Sequence, residues 1–260
     1  MEHKFRRLAH CGIVLSCLAS ASVSLAGNEH DVLGIRAGMT VGEAEALIAG
    51  MRPGSRKETV RSHAGKPLGF RYTDTDDPEK RLGKTQVVLG VGSDGRIWFV
   101  GRAQNFDVGE RPDYATLQKS LLDKYGAPTL PGPAHPPAKY LRIKYGILWS
   151  FDAQYRQVPG GPRHFLSQDP CREAFAGDNY SQTWGTHIIV PRRTGERCGM
   201  AISASVSFDA ETQRVAAFSV TITDAAALYA DPVYGGESRQ FVEKQKKIEK
   251  EALGGQRIDL

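Results

Sequence analysis

Two β-rich runs of eleven residues, GMAISASVSFD at 199–209 and RVAAFSVTITD at 214–224, stand almost end to end. The connection between them, turning at Asp209-Ala-Glu-Thr, is too short for a crossover and long enough for a hairpin. The chain must therefore hold an antiparallel sheet. Other segments read as further strands: LGFRYTD (68–74), TQVVLGV (85–91), RIWFVGRAQNF (96–106), YLRIKYG, ILWSFDA and TWGTHIIV (183–190). An acidic turn, TDDPEK, joins the first two.

Helical segments separate these strands. Thr40-Val-Gly-Glu43 reads as a capping box, in which the Thr hydroxyl and the Glu carboxylate each satisfy a free N–H at the helix start. Ala44, Leu47, Ile48 and Met51 follow at helical spacing, and Pro53-Gly54 stops the pattern. The basic segment RPGSRKETVRSHAGKP reads next as a loop or frayed strand. A second helix starts at Pro112-Asp113, carries Tyr114, Leu117, Leu121, Leu122 and Tyr125 on one face, and ends at Gly126 and Pro128. Five prolines within 128–138 make a stiff linker or extended surface loop, and 156–183 reads as irregular. DAAALYA is a short helix; ESRQFVEKQKKIEKEALGG is a charged one with only Phe241, Val242, Ile248 and Leu253 to bury. Helix then strands, twice over, predicts an α+β architecture of two helix-plus-antiparallel-sheet repeats, 27–109 and 110–235, followed by a charged C-terminal helix or tail at 236–260.

Residues 1–26 read differently. Lys4, Arg6 and Arg7 precede the apolar and small run LAHCGIVLSCLASASVSLA, which ends in Ser24-Leu25-Ala26. That is the pattern of a secretory signal peptide cleaved near Ala26, and it places the protein in the periplasm or outside the cell. No later run approaches the roughly 20 apolar residues of a membrane-spanning helix. Without Glu2, Lys4, Arg6 and Arg7, 31 basic and 28 acidic residues remain, a net +3. Such a balance, with no basic stripe interleaved with aromatics, speaks against nucleic acid. Cys11 and Cys17 leave with the signal; Cys171 and Cys198 remain, and in an exported protein they are expected to pair.

The stretch Gly90-Val-Gly92-Ser-Asp-Gly95 spells G-x-G-x-x-G after an apolar run. A dinucleotide loop needs a helix beginning at its end. Here Ile97, Trp98, Phe99 and Val100 follow, all β-formers, so Ser93-Asp94-Gly95 is predicted to be a hairpin turn and no cofactor is expected. G-x-S-x-G and H-E-x-x-H are absent, and the histidines are scattered. DTDD (74–77) lacks the Gly and later Glu of a calcium loop. No catalytic, cofactor or metal residue is therefore assigned.

The candidate contact residues are the cations Arg56, Lys57 and Arg61, beside Arg52, His63 and Lys66, and the aromatic Trp98. They fit a protein partner or an anionic envelope component. Two other readings stay open: an inhibitor or immunity protein against a toxin or hydrolase, and a periplasmic hydrolase using His187 or His164 with a nearby carboxylate.

GIRAGMTVGEAEALI resembles a recurring opening of exported proteobacterial proteins, G-[IL]-x-x-G-M-[ST], and LLDKYGAPT resembles the K-Y-G-x-P ending of such helices. Both are similar to the small lipoprotein family of the outer-membrane β-barrel assembly machine and to the tandem-repeat fold of β-lactamase inhibitor proteins. This chain is longer than the lipoproteins, and Val14-Leu-Ser-Cys17 fits a lipobox poorly. The resemblance implies short helices on an antiparallel sheet and a binding role rather than a reaction.

Overall fold

The computed structural model describes residues 30–62, 65–74, 84–132, 145–161, 169–175, 177–179, 188–191, 196–209 and 211–254. The signal-peptide segment, His63, His164 and His187 lie outside the described residues. In chain order the elements are α1 (Val41–Met51), β1 (Arg56–Arg61), β2 (Pro67–Thr73), β3 (Thr85–Val91), β4 (Ile97–Asn105), α2 (Tyr114–Tyr125), β5 (Tyr145–Asp152), β6 (Gly177–Asn179), β7 (Ile189–Pro191), β8 (Cys198–Phe208), β9 (Val215–Asp224), α3 (Ala225–Ala230) and α4 (Gly236–Gly254).

The hairpin read from the sequence is β8–β9, paired from Met200↔Asp224 to Phe208↔Val215. Around it the strands form one seven-stranded antiparallel sheet in the order β1-β2-β3-β4-β9-β8-β5. Strands β6 and β7 make a separate two-stranded ribbon. The architecture is thus α+β with an antiparallel sheet. Because side chains alternate across a strand, the sheet has a helix side and a far side. Ile202, Ala204 and Val206 of β8 are buried among the core clusters of the helix side, and Ser203, Ser205 and Ser207 alternate onto the far side.

Helices α1 and α2 cover the helix side. The capping box forms as read: Thr40 Oγ1 accepts from Glu43 N at 3.3 Å, and Thr40 N donates to Glu43 Oε2 at 2.8 Å. Ala44 and Ile48 of α1 and Leu121 and Tyr125 of α2 join one cluster with Tyr72, Val87, Val100, Ile147, Trp149, Ile202 and Ile222. The ring of Tyr125 sits 5.4 Å from that of Trp149, whose Nε1 donates to the carbonyl of Gly126. This fixes the end of α2 over β5.

The far side is covered towards the Asp224 end of β9. There α3, capped by Asp224 Oδ1 accepting from Ala227 N at 2.8 Å, packs Leu228 against Val88, Trp98, Phe99 and Ile188. Beside it Cys171 and Cys198 form the expected disulfide, in a cluster with Ala174, Ala201 and Ala225. Within the stretch read as irregular, the structure has a 3-10 turn at Arg172–Phe175 and strand β6. Among the described residues no helix is long and apolar enough to cross a membrane. Helix α4 is held at its start by Arg239, whose Nη1 donates to the carbonyls of Tyr229 and Asp231, and further along by the Lys246–Glu196 pair.

Candidate functional site

The basic segment becomes β1, an ordered strand at the margin of the sheet. Its register with β2 runs from Arg56↔Thr73 to Val60↔Gly69, with an irregularity before Arg61↔Pro67. One buried residue, Val60, anchors it to the far-side cluster. Its other edge pairs with no strand among the described residues. The opposite margin, β5, is not open in this way. Leu148 exchanges backbone bonds with Leu130 at 2.9 and 3.0 Å, and Ser150 O accepts from Val158 N at 2.8 Å.

Alternation separates the three cations. Lys57 lies on the helix side, its ammonium 3.9 Å from the centre of the Phe70 ring and 2.5 Å from Glu45 Oε1 of α1. The same Glu45 oxygen accepts from the Tyr72 hydroxyl at 2.7 Å. These bonds hold the Glu45 carboxyl below its usual range, Lys57 contributing most and Tyr72 next. Burial, and then the bond to Glu45, push the Tyr72 phenol up. Glu45 thereby ties α1 to both β1 and its neighbour β2. Arg56 lies on the other side of the strand and pairs with Glu58 at 2.9 Å, and Glu58 also faces Arg71 at 3.9 Å. Arg61 donates to the carbonyl of Gly65 at 2.9 Å and has no carboxylate partner among the described residues. The three are neighbours along one edge rather than a single cluster.

Trp98 belongs to the interior. It is 2% exposed, its ring lies 5.8 Å from that of Phe99, and α3 covers it. As a surface contact it is corrected to a core residue.

The G-x-G-x-x-G stretch is a turn followed by β4, as expected. Gly95 N donates to Gly92 O at 3.0 Å and Gly92 N to Arg96 O at 2.8 Å. What the sequence did not disclose is the anion that occupies it. Asp231 Oδ2 accepts from Ser93 N at 2.7 Å and from Ser93 Oγ at 3.0 Å, while Oδ1 accepts from Val233 N and Tyr234 N. The backbone N–H of Ser93, one that a phosphate loop would offer its ligand, is already bound to the chain's own carboxylate. A Cβ at Gly92 would sit 3.0 Å from Asp231 Oδ2, so a side chain there would press on the carboxylate. A cavity of about 250 Å³ beside the turn is lined in part by Asp94, Arg96 and Asp231. Burial raises the Asp231 carboxyl, but the bonds from Ser93, Tyr234 and Val233 outweigh it and leave it below its usual range.

This assigns Asp231 a structural role that can be measured. Asp231→Ala is expected to cost about 2 kcal/mol, the order of a few hydrogen bonds to one charged acceptor. The effect has a direction in pH. A carboxyl whose folded pKa is depressed stabilises fully above its unfolded pKa of about 3.9 and loses that contribution as pH falls through the folded value. The gap in unfolding free energy between wild type and Asp231→Asn should therefore narrow as the solution is acidified below about pH 4. A gap that widens there would assign the stabilisation to another group.

A second buried carboxylate, Asp224, accepts from the Tyr155 hydroxyl at 3.1 Å as well as capping α3. Burial raises it above the usual range. The same oxygen, Oδ1, serves both contacts, so it holds α3 and the Tyr155 loop together. Among the described residues no group of three or more His, Cys, Asp or Glu could hold a metal ion. Compared with known proteins, the chain matches no family model, no curated protein and no solved structure.

Proposed function

We propose that the chain is a non-enzymatic binding module of the exported, envelope-facing kind, and that it takes its partner along the β1 edge. The observation that carries this reading is the contrast between the two margins of the sheet. The β5 edge is capped by its own chain, whereas β1 offers a row of backbone groups over six residues that nothing among the described residues caps. An extended segment of another protein can add to such an edge, with main-chain bonds supplying affinity and side chains supplying choice. Arg56, Lys57 and Arg61 set that choice towards an acidic strand. Arg61 needs no ion pair broken to engage it, since its partner is a carbonyl. The same charges also guard the edge against promiscuous pairing.

Two features of the wider reading accompany it. Residues 1–26 are taken as the export signal. The strand order supports two repeats, α1 with β1–β4 and α2 with β5, β8 and β9, whose last strands, β4 and β9, pair antiparallel at the centre.

In-cell photo-crosslinking tests the edge. A photoreactive residue at Glu58 is expected to capture a discrete partner, and one at Lys119, exposed on α2, is expected to capture none. Arg56→Ala/Lys57→Ala/Arg61→Ala should weaken capture from position 58 by about tenfold or more. It should also leave the melting midpoint within a few degrees, because exposed ion pairs contribute only about 0–1 kcal/mol each. Equal capture from both positions, or a triple variant that captures like wild type, would overturn the assignment.

A further inference from the structure

Helix-side residues of β4 and β9 run beneath the seam between the two helices. Helix α1 is tied to β2 through Glu45 and Tyr72, and α2 to β5 through Tyr125 and Trp149, which leaves the two central strands between them. At one end the seam is closed: Val100 and Ile222 are fully buried. At the other it is not. Arg102, Gln104 and Phe218, paired across β4 and β9 as Arg102↔Val220 and Gln104↔Phe218, are only partly buried. Leu47 and Met51 lie on the flank of α1 away from Glu45, by helical spacing, and are 37% and 44% exposed. Leu117 of α2 packs on the other margin against the cluster that holds Phe218. The open end thus holds one partly buried cation, Arg102, beside Phe218, with Leu117 on the α2 margin and the Leu47/Met51 flank on the α1 margin.

That cation is unusual in this molecule. The other partly buried arginines have carboxylates or several carbonyls as partners: Arg52 with Asp74, Arg71 with Glu58, Arg111 with Asp209, Arg239 with two carbonyls. Arg102 instead donates Nη2 to the neutral amide of Gln104 and lies 5.4 Å from the Phe218 ring, with no carboxylate partner among the described residues; its Nε, like those of Arg71 and Arg111, is buried without a hydrogen-bond partner there. Burial, and then the charge of Arg52, push the guanidinium down, while Tyr125 acts in the opposite sense. A desolvated cation without a carboxylate partner is costly unless an anion completes it.

We infer that this end of the seam forms an apolar trough that binds an apolar carboxylate of the fatty-acid class, its head on Arg102 and its tail along Leu117, Phe218, Met51 and Leu47. The charge calls for one anionic head. The walls decide against an extended peptide: the flanking helices have their backbone groups bonded internally, so such a peptide's amides would find few partners there and be left unsatisfied. An amphiphile with a single polar group meets no such penalty. The site is separate from the β1 edge, with β2 and β3 between them, and stands or falls independently of it.

Calorimetric titration of the full chain with sodium decanoate tests the inference, with decyltrimethylammonium as the head-group control. Decanoate should bind saturably with one site and about tenfold or more tighter than the cation. Arg102→Met should weaken decanoate by about tenfold or more while leaving the weak binding of the cation unchanged. The variant should not melt earlier than wild type, because it removes a cation with no ion pair to lose. Met51→Glu, at an exposed position, places a carboxylate at the mouth and should weaken decanoate severalfold without affecting folding. No saturable binding up to about 1 mM, binding blind to the head group, or an Arg102→Met protein that binds like wild type would each overturn the assignment.

Discussion

Trp98→Ala lowers the free energy of unfolding by about 3–5 kcal/mol, the range for removing a large aromatic from a well-packed core. The expectation follows from where the ring sits. At 2% exposure, Trp98 fills the space between the far side of the sheet and α3, against Val88, Phe99, Leu228 and Ile188. Gly90, on the neighbouring strand, shows how tight that space is: a Cβ there would come within 3.0 Å of the indole ring. Urea unfolding with an unchanged slope and a lower midpoint would measure the loss. Trp98→Phe separates packing from hydrogen bonding. The indole Nε1 is buried without a partner among the described residues, so phenylalanine gives up area but no bond and should cost less than about 2 kcal/mol. A Trp98→Ala protein as stable as wild type would restore the residue to the surface role its aromatic character first implied.

That correction shows which parts of the molecule can be read from letters. The capping box at Thr40 and Glu43, the turn at 93–95 and the β8–β9 hairpin are local: every group that makes them lies within a few residues, so spacing alone identifies them. The side of the sheet a residue faces is less secure. Trp98 and Phe99 both enter the far-side cluster, while Ile97 and Val100 enter the helix-side one. The register irregularity between Gly90 and Val91 breaks the two-residue alternation there, and no strand propensity encodes it.

Partnerships across the fold were beyond reach for the same reason. Lys57 looked like one of a run of free cations, yet its partner Glu45 arrives on a helix that packs over β2, where Tyr72 meets the same oxygen. Asp231 lies 138 residues from Ser93, and nothing in either segment signals the other. Arg102 lies within the run RIWFVGRAQNF, read only as a strand. Only its pairing with β9, over 100 residues later in the chain, puts it under the helix seam. One signal was legible and unused: in ISASVSF the serines alternate with apolar residues, so one face of β8 had to be polar. Ser203 and Ser205 indeed stand opposite Thr221 and Ser219 on the far side.

The disulfide supplies the other large effect. Cys171 and Cys198, 27 positions apart, close a loop whose removal is expected to cost about 3–4 kcal/mol in the chain-entropy account. For a chain of this size that corresponds to a fall in melting temperature on the order of 10 °C. The bond does more than close a loop. Cys198 opens β8 next to the irregularity at Phe151/Asp152, and Cys171 precedes the 3-10 turn that packs Ala174 against Ala201 and the first residue of α3. Asp169 fixes the approach by accepting from Cys171 N at 2.7 Å. Losing the bond therefore frees the 169–175 segment from the far side and uncovers the start of α3, close to the Asp224 cap. Cys171→Ala/Cys198→Ala is the variant to melt, since it leaves no thiol to oxidise or exchange. Wild type should approach its midpoint when reductant is added and should resist thiol labelling when native. A double variant that melts within about 2 °C of wild type, or native protein that labels at both cysteines, would show that the covalent bond does not hold this segment to the sheet.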